Sequence, residues 1–490
     1  MGVLRFVFPS DSLPPGAADQ AYVTGYDRIP CRVEVTQEDG QLLVRRDTSD
    51  SGNLHIPWHV GGHGRVTLVS ASLMERPEPY SLPVELARGE LSQLRNHVAE
   101  WSQAGTTISQ EVHQRIGKAM AFFAQATCTQ QSPEVAARAA DDTLRATLDA
   151  ANLLAREYAL EALASRSDEP TDPPMILGAN LGASLLDENT SVHFLESFNA
   201  AGISLAWREI ETTQGSFYWD IADKQIEWCQ RHQLTVCAGP LLTFDPWRMP
   251  QWLSDYDGDF DGIIACVANF IQTVVARYRS AVHIWICGAR TNTSEALSLS
   301  EHERIRLTAR AVEVTQSMAP DARRLVSFDQ PWGEYLSRKT VDFSPLHFAD
   351  ALVRARLGLT GLMLEMNMGY LTGGTLLRDP LDMSRHLDYW SLLGVPIHLG
   401  LTVPSGCDDD PLAVRRAQVQ VDQCSGASQA KWIEQFVPLA LAKGYVEGVL
   451  WNQLRDSEPH DFAHGGLFDT RRQPKPGLEK LREIRKAHLS

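Results

Sequence analysis

Glu365 is the one charged residue in the run LTGLMLEMNMGY (359–370), whose other residues are mostly apolar. A carboxyl in apolar surroundings resists ionisation, so it can hold a proton near neutral pH and act as a general acid. Two aspartates that end other apolar runs, Asp329 in RLVSFDQ and Asp245 after LLTF, are the candidate partners as base or nucleophile. Such a pair is the equipment for hydrolysing a glycosidic bond, about 5 Å apart for retention and ~6.5–9.5 Å for inversion with a water between. Each residue also has a structural reading. Glu365 could be neutralised by an ion pair with Arg290, and each aspartate could cap the helix that follows it.

Around these carboxyls lie groups suited to holding a ligand. Arg290, in ICGARTN, offers a planar fork that fits a carboxylate or sulfate, or equally an internal salt bridge. Glu209, Asn292, Asn367, His398, Asn452 and Arg455 are polar residues at or near the ends of apolar runs. Trp207, Trp247, Trp332 and Trp451 could stack on sugar rings or could be core. His55, His59 and His63 have metal-like spacing, but no acidic cluster accompanies them, so no metal is expected. His460 and His464 stand in a late loop as ligand contacts or loop-shaping groups, and Asp408-Asp409-Asp410 reads as a solvated loop face.

The elements that must position these groups follow from periodicity. Residues 1–80 contain short alternating runs such as LRFVF, CRVEV and RVTLVS between Gly, Pro, Asp and Ser clusters, the pattern of an antiparallel β-sandwich. Residues 81–166 switch to helical spacing, with a third helix starting at Ser132-Pro133. A charged, Pro-rich stretch, 167–174, reads as a linker. Residues 175–490 alternate strands with amphipathic helices. Eight strands are expected at 175–180, 203–209, 234–242, 282–288, 324–330, 359–367, 395–403 and 446–452. Eight such units in one segment predict a (β/α)8 TIM barrel, whose site lies at the C-terminal strand ends. No Gly-rich phosphate loop follows the first strand, and no cofactor is expected.

Composition narrows the partners. The 490 residues are 43% hydrophobic and 22% charged, with a formal charge of -16, which disfavours a nucleic-acid partner. No stretch approaches the ~20 apolar residues of a membrane span. Eight scattered cysteines without a CxxC pair, and an N-terminus unlike a secretory signal, point to a cytoplasmic protein. Nothing in the composition bears on oligomeric state.

Several segments carry a resemblance. WREIETTQGSFYWDIADKQIEWCQRHQLTVCAGPLL, MPQWL and VLWNQLRDSEPHDFAHGGLFDTRRQPKPGL follow one another as they do in family-10 glycoside hydrolases, the xylanase-type barrels. The resemblance covers roughly residues 175–485 and implies the same barrel and a carbohydrate ligand. It breaks at the chemistry. Where the family has its acid/base glutamate, at the end of strand four, this chain has Arg290 after Ala289. Where the family has its nucleophile, at the end of strand seven, it has Leu401 after Gly400. The family's histidine after strand three corresponds to Asp245, and its sugar-binding lysine to Ala206.

Two functions follow as expectations. One is hydrolysis of an oligosaccharide through a relocated pair drawn from Glu365, Asp329 and Asp245. The other is a catalytically inactive carbohydrate-binding or scaffold barrel. A lyase or isomerase using His398 or Glu365 for proton transfer is a third. The gathering of Asp245, Arg290, Asp329, Glu365 and Arg455 on one rim favours the first, because buried charges without partners are costly.

Overall fold

The computed structural model describes residues 2–9, 12–38, 40–167, 174–293, 296–339, 341–370, 373–417 and 424–489. Most of the linker expected at 167–174 lies outside them. The first strands are β1 (Gly2–Val7), β2 (Tyr22–Thr24), β3 (Pro30–Cys31), β4 (Val33–Glu38), β5 (Gln41–Arg46), β6 (Gly52–Val60), β7 (Gly64–Leu73) and β8 (Tyr80–Ser81). They form two four-stranded sheets, β4-β5-β1-β8 and β3-β2-β6-β7, antiparallel except where β8 runs parallel to β1. Alternation does the work: in β5, Leu42 and Val44 turn inward while Gln41 and Leu43 are partly exposed. Leu4, Phe6, Leu54, Ile56 and Trp58 join residues of three long helices, Leu82–Gln103, Gln110–Cys128 and Pro133–Ser167, in one core. Gly89 lets the first helix meet β7, because a Cβ there would lie 2.0 Å from the Val69 carbonyl oxygen.

The rest closes into the expected barrel. Its strands are β9 (Ile176–Asn180), β10 (Ala200–Ser204), β11 (Thr235–Gly239), β12 (Ile284–Ala289), β13 (Arg323–Asp329), β14 (Gly361–Asn367), β15 (Ile397–Thr402) and β17 (Val446–Trp451). Short β16 (Ala413–Arg415) precedes β17, and β18 (His460–Phe462) follows it. The closed order is β10-β11-β12-β13-β14-β15-β17-β9, with parallel pairing throughout. Small and branched side chains, among them Ala200, Cys237, Ile284, Leu325 and Leu450, make a compact interior cluster. The largest boundary difference from the expectation is in strand two, which ends at Ser204; Trp207–Ile210 is a helical turn. The apolar run ISLAW continued the strand's hydrophobicity into that turn and so concealed its end.

Helix Phe260–Tyr278 is, contrary to expectation, long and apolar enough to cross a membrane by length and composition. In this fold its face of Ile263, Val267, Phe270, Ile271 and Val274 belongs to the barrel core. The cysteines are all free, and burial pushes the Cys237 and Cys287 thiols up to about 12.

The N-terminal sheets are keyed to the barrel by one buried guanidinium. Arg378 donates to Tyr22 Oη (2.9 Å), to Glu334 Oε1 (2.6 Å) and to Asp382 Oδ2 (3.2 Å). Its side chain is 0% exposed. Thr67 N–H also donates to the Leu377 carbonyl (2.8 Å), and Arg338 donates to the carbonyls of Asp19 and Ala21. Removing the cation leaves Glu334 without its ion pair and Asp382 with Arg385 alone. Arg378→Ala is therefore expected to lower unfolding free energy by about 3–5 kcal/mol, measured by denaturant titration. A change within 1 kcal/mol, on the order of a surface substitution, would remove this role.

Candidate functional site

The C-terminal strand ends open into a cavity of about 380 Å³. Its floor is an ion cluster centred on Arg290. That residue follows β12 with φ of 56°, a left-handed conformation that costs an L-residue roughly 1 kcal/mol or more. Its backbone N–H donates to the Ser327 carbonyl on β13 (3.1 Å), fixing the turn. Its Nε donates to Glu365 Oε2 (2.8 Å), and its Nη1 to Asp245 Oδ2 (3.2 Å) and Asp461 Oδ2 (2.7 Å). The guanidinium is 8% exposed.

Two further arginines complete the cluster. Arg248 donates to Asp461 at 2.8 Å, and Arg415 stands 3.8 Å from the same carboxylate. Burial would raise the Asp461 carboxyl, but Arg248, Arg290 and Arg415 outweigh it and hold the group far below the usual range. Burial likewise opposes the charge on Arg290, and Glu365, Asp461 and Asp245 more than restore it. Glu365 is held on both oxygens: Ser327 Oγ donates to Oε1 (3.0 Å), and Asn367 lies 3.4 Å from Oε2. Three guanidinium groups thus face three engaged carboxylates.

Asp329 is the fourth acid and behaves differently. It pairs with Glu365 in the β13–β14 register and is 1% exposed. Burial, with Glu365 adding repulsion, raises its carboxyl to about 7 against the pull of Arg290 and Arg415. Asn292 donates to its backbone carbonyl (2.9 Å), and Gln330, the next residue, also has a left-handed φ of 49°.

The expected ligand residues divide. Glu209, Asp245, Trp247, Arg290, Glu365, Asn452 and Arg455 line the cavity. Trp247 is 41% exposed there, whereas Arg455 is 1% exposed and tied to Glu458 and the Leu181 and Ser184 carbonyls. Glu209 is exposed at the mouth, yet desolvation by its surroundings raises its carboxyl, with Arg248 opposing and Glu458 adding to the rise.

The others stand elsewhere. Trp207 is core, stacked on Phe270 with its ring N–H on Glu211, and Trp451 is core with its N–H on the Gly465 carbonyl. Trp332 stacks on His386 and bonds Asp382, beside the N-terminal sheets. Asn367 and Asn292 are buried behind the cavity as partners of Asn452 and Asp329. His398 is the second residue of β15, so it sits near the opposite, N-terminal end of the barrel, where burial pushes it down to about 3. Proximity to a strand end in sequence does not say toward which layer a side chain points.

Sequence reasoning missed Arg248, Arg415 and Asp461. Arg248 follows Trp247 directly, so the signal was there. Arg415 and Asp461 sit in the short strands β16 and β18, whose parallel pairing brings them together at the mouth. His460 is pinned in that structure by Asp410 (3.0 Å), and the His464 backbone N–H also bonds Asp410 (3.1 Å), so this part of the 408–410 acidic run is structural. Among the described residues no His/Cys/Asp/Glu group has the arrangement to hold a metal ion.

Asp329 makes stability depend on pH with a defined sign. The unfolded carboxyl ionises near 4, while the folded one keeps its proton until about 7. Between those values the native state binds the extra proton, so stability falls as pH rises and levels off above pH 7. Asp329→Asn is expected to flatten that slope and to be the more stable protein at pH 8, by about 1 kcal/mol or more, in parallel denaturant titrations. An unchanged slope would show that Asp329 does not carry it.

Residues 180–287 match the model of Glycosyl hydrolase family 10. Endo-1,4-beta-xylanase 2 from Claviceps purpurea is 27% identical over 82 residues, 17% of this chain and 24% of that protein, so the match spans about a quarter of that curated relative. Among solved structures, native xylanase 10B from Thermotoga maritima aligns at 15% identity with a TM-score of 0.49, covering 68% of this chain and 98% of that one. Xylanase 10B from Thermotoga petrophila RKU-1, solved in complex with xylobiose, gives the same values. The chain carries a glycoside-hydrolase-like barrel that resembles family 10 and diverges from it at Arg290 and Leu401, where the resemblance would place glutamates.

Proposed function

We propose that the barrel mouth binds a carbohydrate without cleaving it. The observation that carries this reading is the simultaneous engagement of Glu365, Asp245 and Asp461 by Arg290. Glycoside hydrolysis needs one carboxyl to give a proton and another to attack or to activate water. Here Glu365 accepts bonds on both oxygens, and Asp329, which keeps its proton near neutral pH, does not line the cavity. Freeing Glu365 or Asp245 for chemistry would cost the buried Arg290 one of the ion pairs that compensate its burial.

Binding itself is well supported. Trp247 presents a half-open aromatic face, and Asn180, Glu209, Asn452 and Glu458 supply polar groups around it. An apolar face with a few convergent polar groups is the usual make-up of a small-ligand site. Oligosaccharides of xylose are the first ligands to try, given the xylanases to which the chain is similar.

Hydrolysis through a relocated carboxyl pair is the second reading. It is favoured by Glu209 and Glu458, which line the same cavity outside the Arg290 cluster, and by the raised Glu209 carboxyl. Calorimetric titration with xylotriose and with unrelated oligosaccharides tests the binding proposal. A saturable heat is expected, weakened at least 10-fold, about 1.4 kcal/mol, in Trp247→Ala. No heat with any sugar, or full affinity in Trp247→Ala, would count against this site.

A further inference from the structure

A second cavity, about 310 Å³, lies where the N-terminal sheets and helix Leu82–Gln103 meet barrel helix Pro380–Ser391. Its size is at the lower end for small-molecule sites, enough for one hexose-sized molecule. One wall is made of hydroxyl and amide side chains, including Asn53, Ser70, Ser72, Ser92 and Asn96. The other is aromatic, with Trp332 stacked on His386 (4.1 Å) and Tyr22 on His55 (4.4 Å). Burial pushes both histidines down to about 3, so neither is a cation at neutral pH.

Among the residues that line this cavity, one carboxylate, Asp382, stands against two guanidinium groups, Arg28 and Arg385. Asp382 is shared by Arg378 (3.2 Å) and Arg385 (2.5 Å), and Arg385 also bonds Gln93. Arg28 is exposed to solvent at the cavity rim and makes no salt bridge among the described residues; its guanidinium stands 5.8 Å from the Tyr389 ring centroid. Its backbone is left-handed, with φ of 58°, closing a turn in which its N–H donates to the Gly25 carbonyl (3.2 Å). Glycine or asparagine is the ordinary occupant of such a position, so an arginine there carries a conformational cost.

We propose that this cavity binds a small polyhydroxylated anion, a sugar acid or a sugar phosphate, with Arg28 as the partner of its charge. The serine and amide side chains suit the hydroxyls. A guanidinium pairs with either a carboxylate or a phosphate through two parallel N–H bonds. The site is distinct from the barrel mouth and does not depend on what the mouth does.

Calorimetry on the full chain at low salt, with glucuronate, glucose 6-phosphate, glucose and inorganic phosphate, tests it. At least one charged sugar should bind 10-fold or more tightly than glucose and inorganic phosphate, and the stronger of the two distinguishes carboxylate from phosphate. Arg28→Gln should weaken it at least 10-fold, Trp247→Ala should leave it unchanged, and raised salt should weaken it. Arg28→Gly, which the left-handed turn accommodates, should keep the wild-type Tm and show the same loss. Absence of binding by both charged sugars, equal binding by inorganic phosphate alone, full affinity in Arg28→Gln or loss in Trp247→Ala would each overturn the proposal.

Discussion

A guanidinium buried at the mouth of a barrel must be neutralised, and much of the rim is arranged to meet that demand. Arg290 draws Glu365 from β14, Asp245 from the segment after β11 and Asp461 from β18 onto one fork. Asp461 in turn collects Arg248 and Arg415, so the loop that carries β18 is drawn over the opening and paired with β16. Each charge is tolerable only because its partners are present. With three cations facing three engaged carboxylates, a fourth charge has no counterpart, and Asp329 holds its proton to about 7.

The same physics fastens the N-terminal sheets. Arg378, fully buried, bridges Tyr22 of the sheets to Glu334 and Asp382 of the barrel. Two arginine-centred clusters thus serve different ends: one fills the floor of the mouth, the other locks a layer of sheet and helix onto the barrel's flank. Beside each lies a cavity with polar and aromatic walls. The N-terminal layer is therefore more than a covering, because its contact with helix Pro380–Ser391 creates a surface that neither part has alone.

What could be read in the sequence was what repeats. Alternation in runs such as LRFVF marked sheet residues, and eight apolar runs separated by amphipathic stretches marked a closed parallel barrel. The isolation of Glu365 in an apolar run marked a buried charge, and its pairing with Arg290 was one of the two readings that run allowed. What could not be read was depth and long-range convergence. Trp207 and Trp247 are both tryptophans near strand ends, yet one is 2% exposed and the other 41%. That difference depends on a helical turn at 207–210, which local hydrophobicity could not separate from the preceding strand. Asp461 reaches Arg290 across 171 positions, and nothing in the local pattern of SEPHDFAHGG announces it.

The account turns on whether the Arg290 cluster leaves any carboxyl free to do chemistry. Long incubation of the purified chain with a panel of defined oligosaccharides, followed by mass spectrometry of the products, examines this directly, with Glu365→Gln in parallel. Every oligosaccharide is predicted to survive intact in both. Stereospecific cleavage by the wild-type chain that disappears in Glu365→Gln would contradict the account and make Glu365 an acting acid.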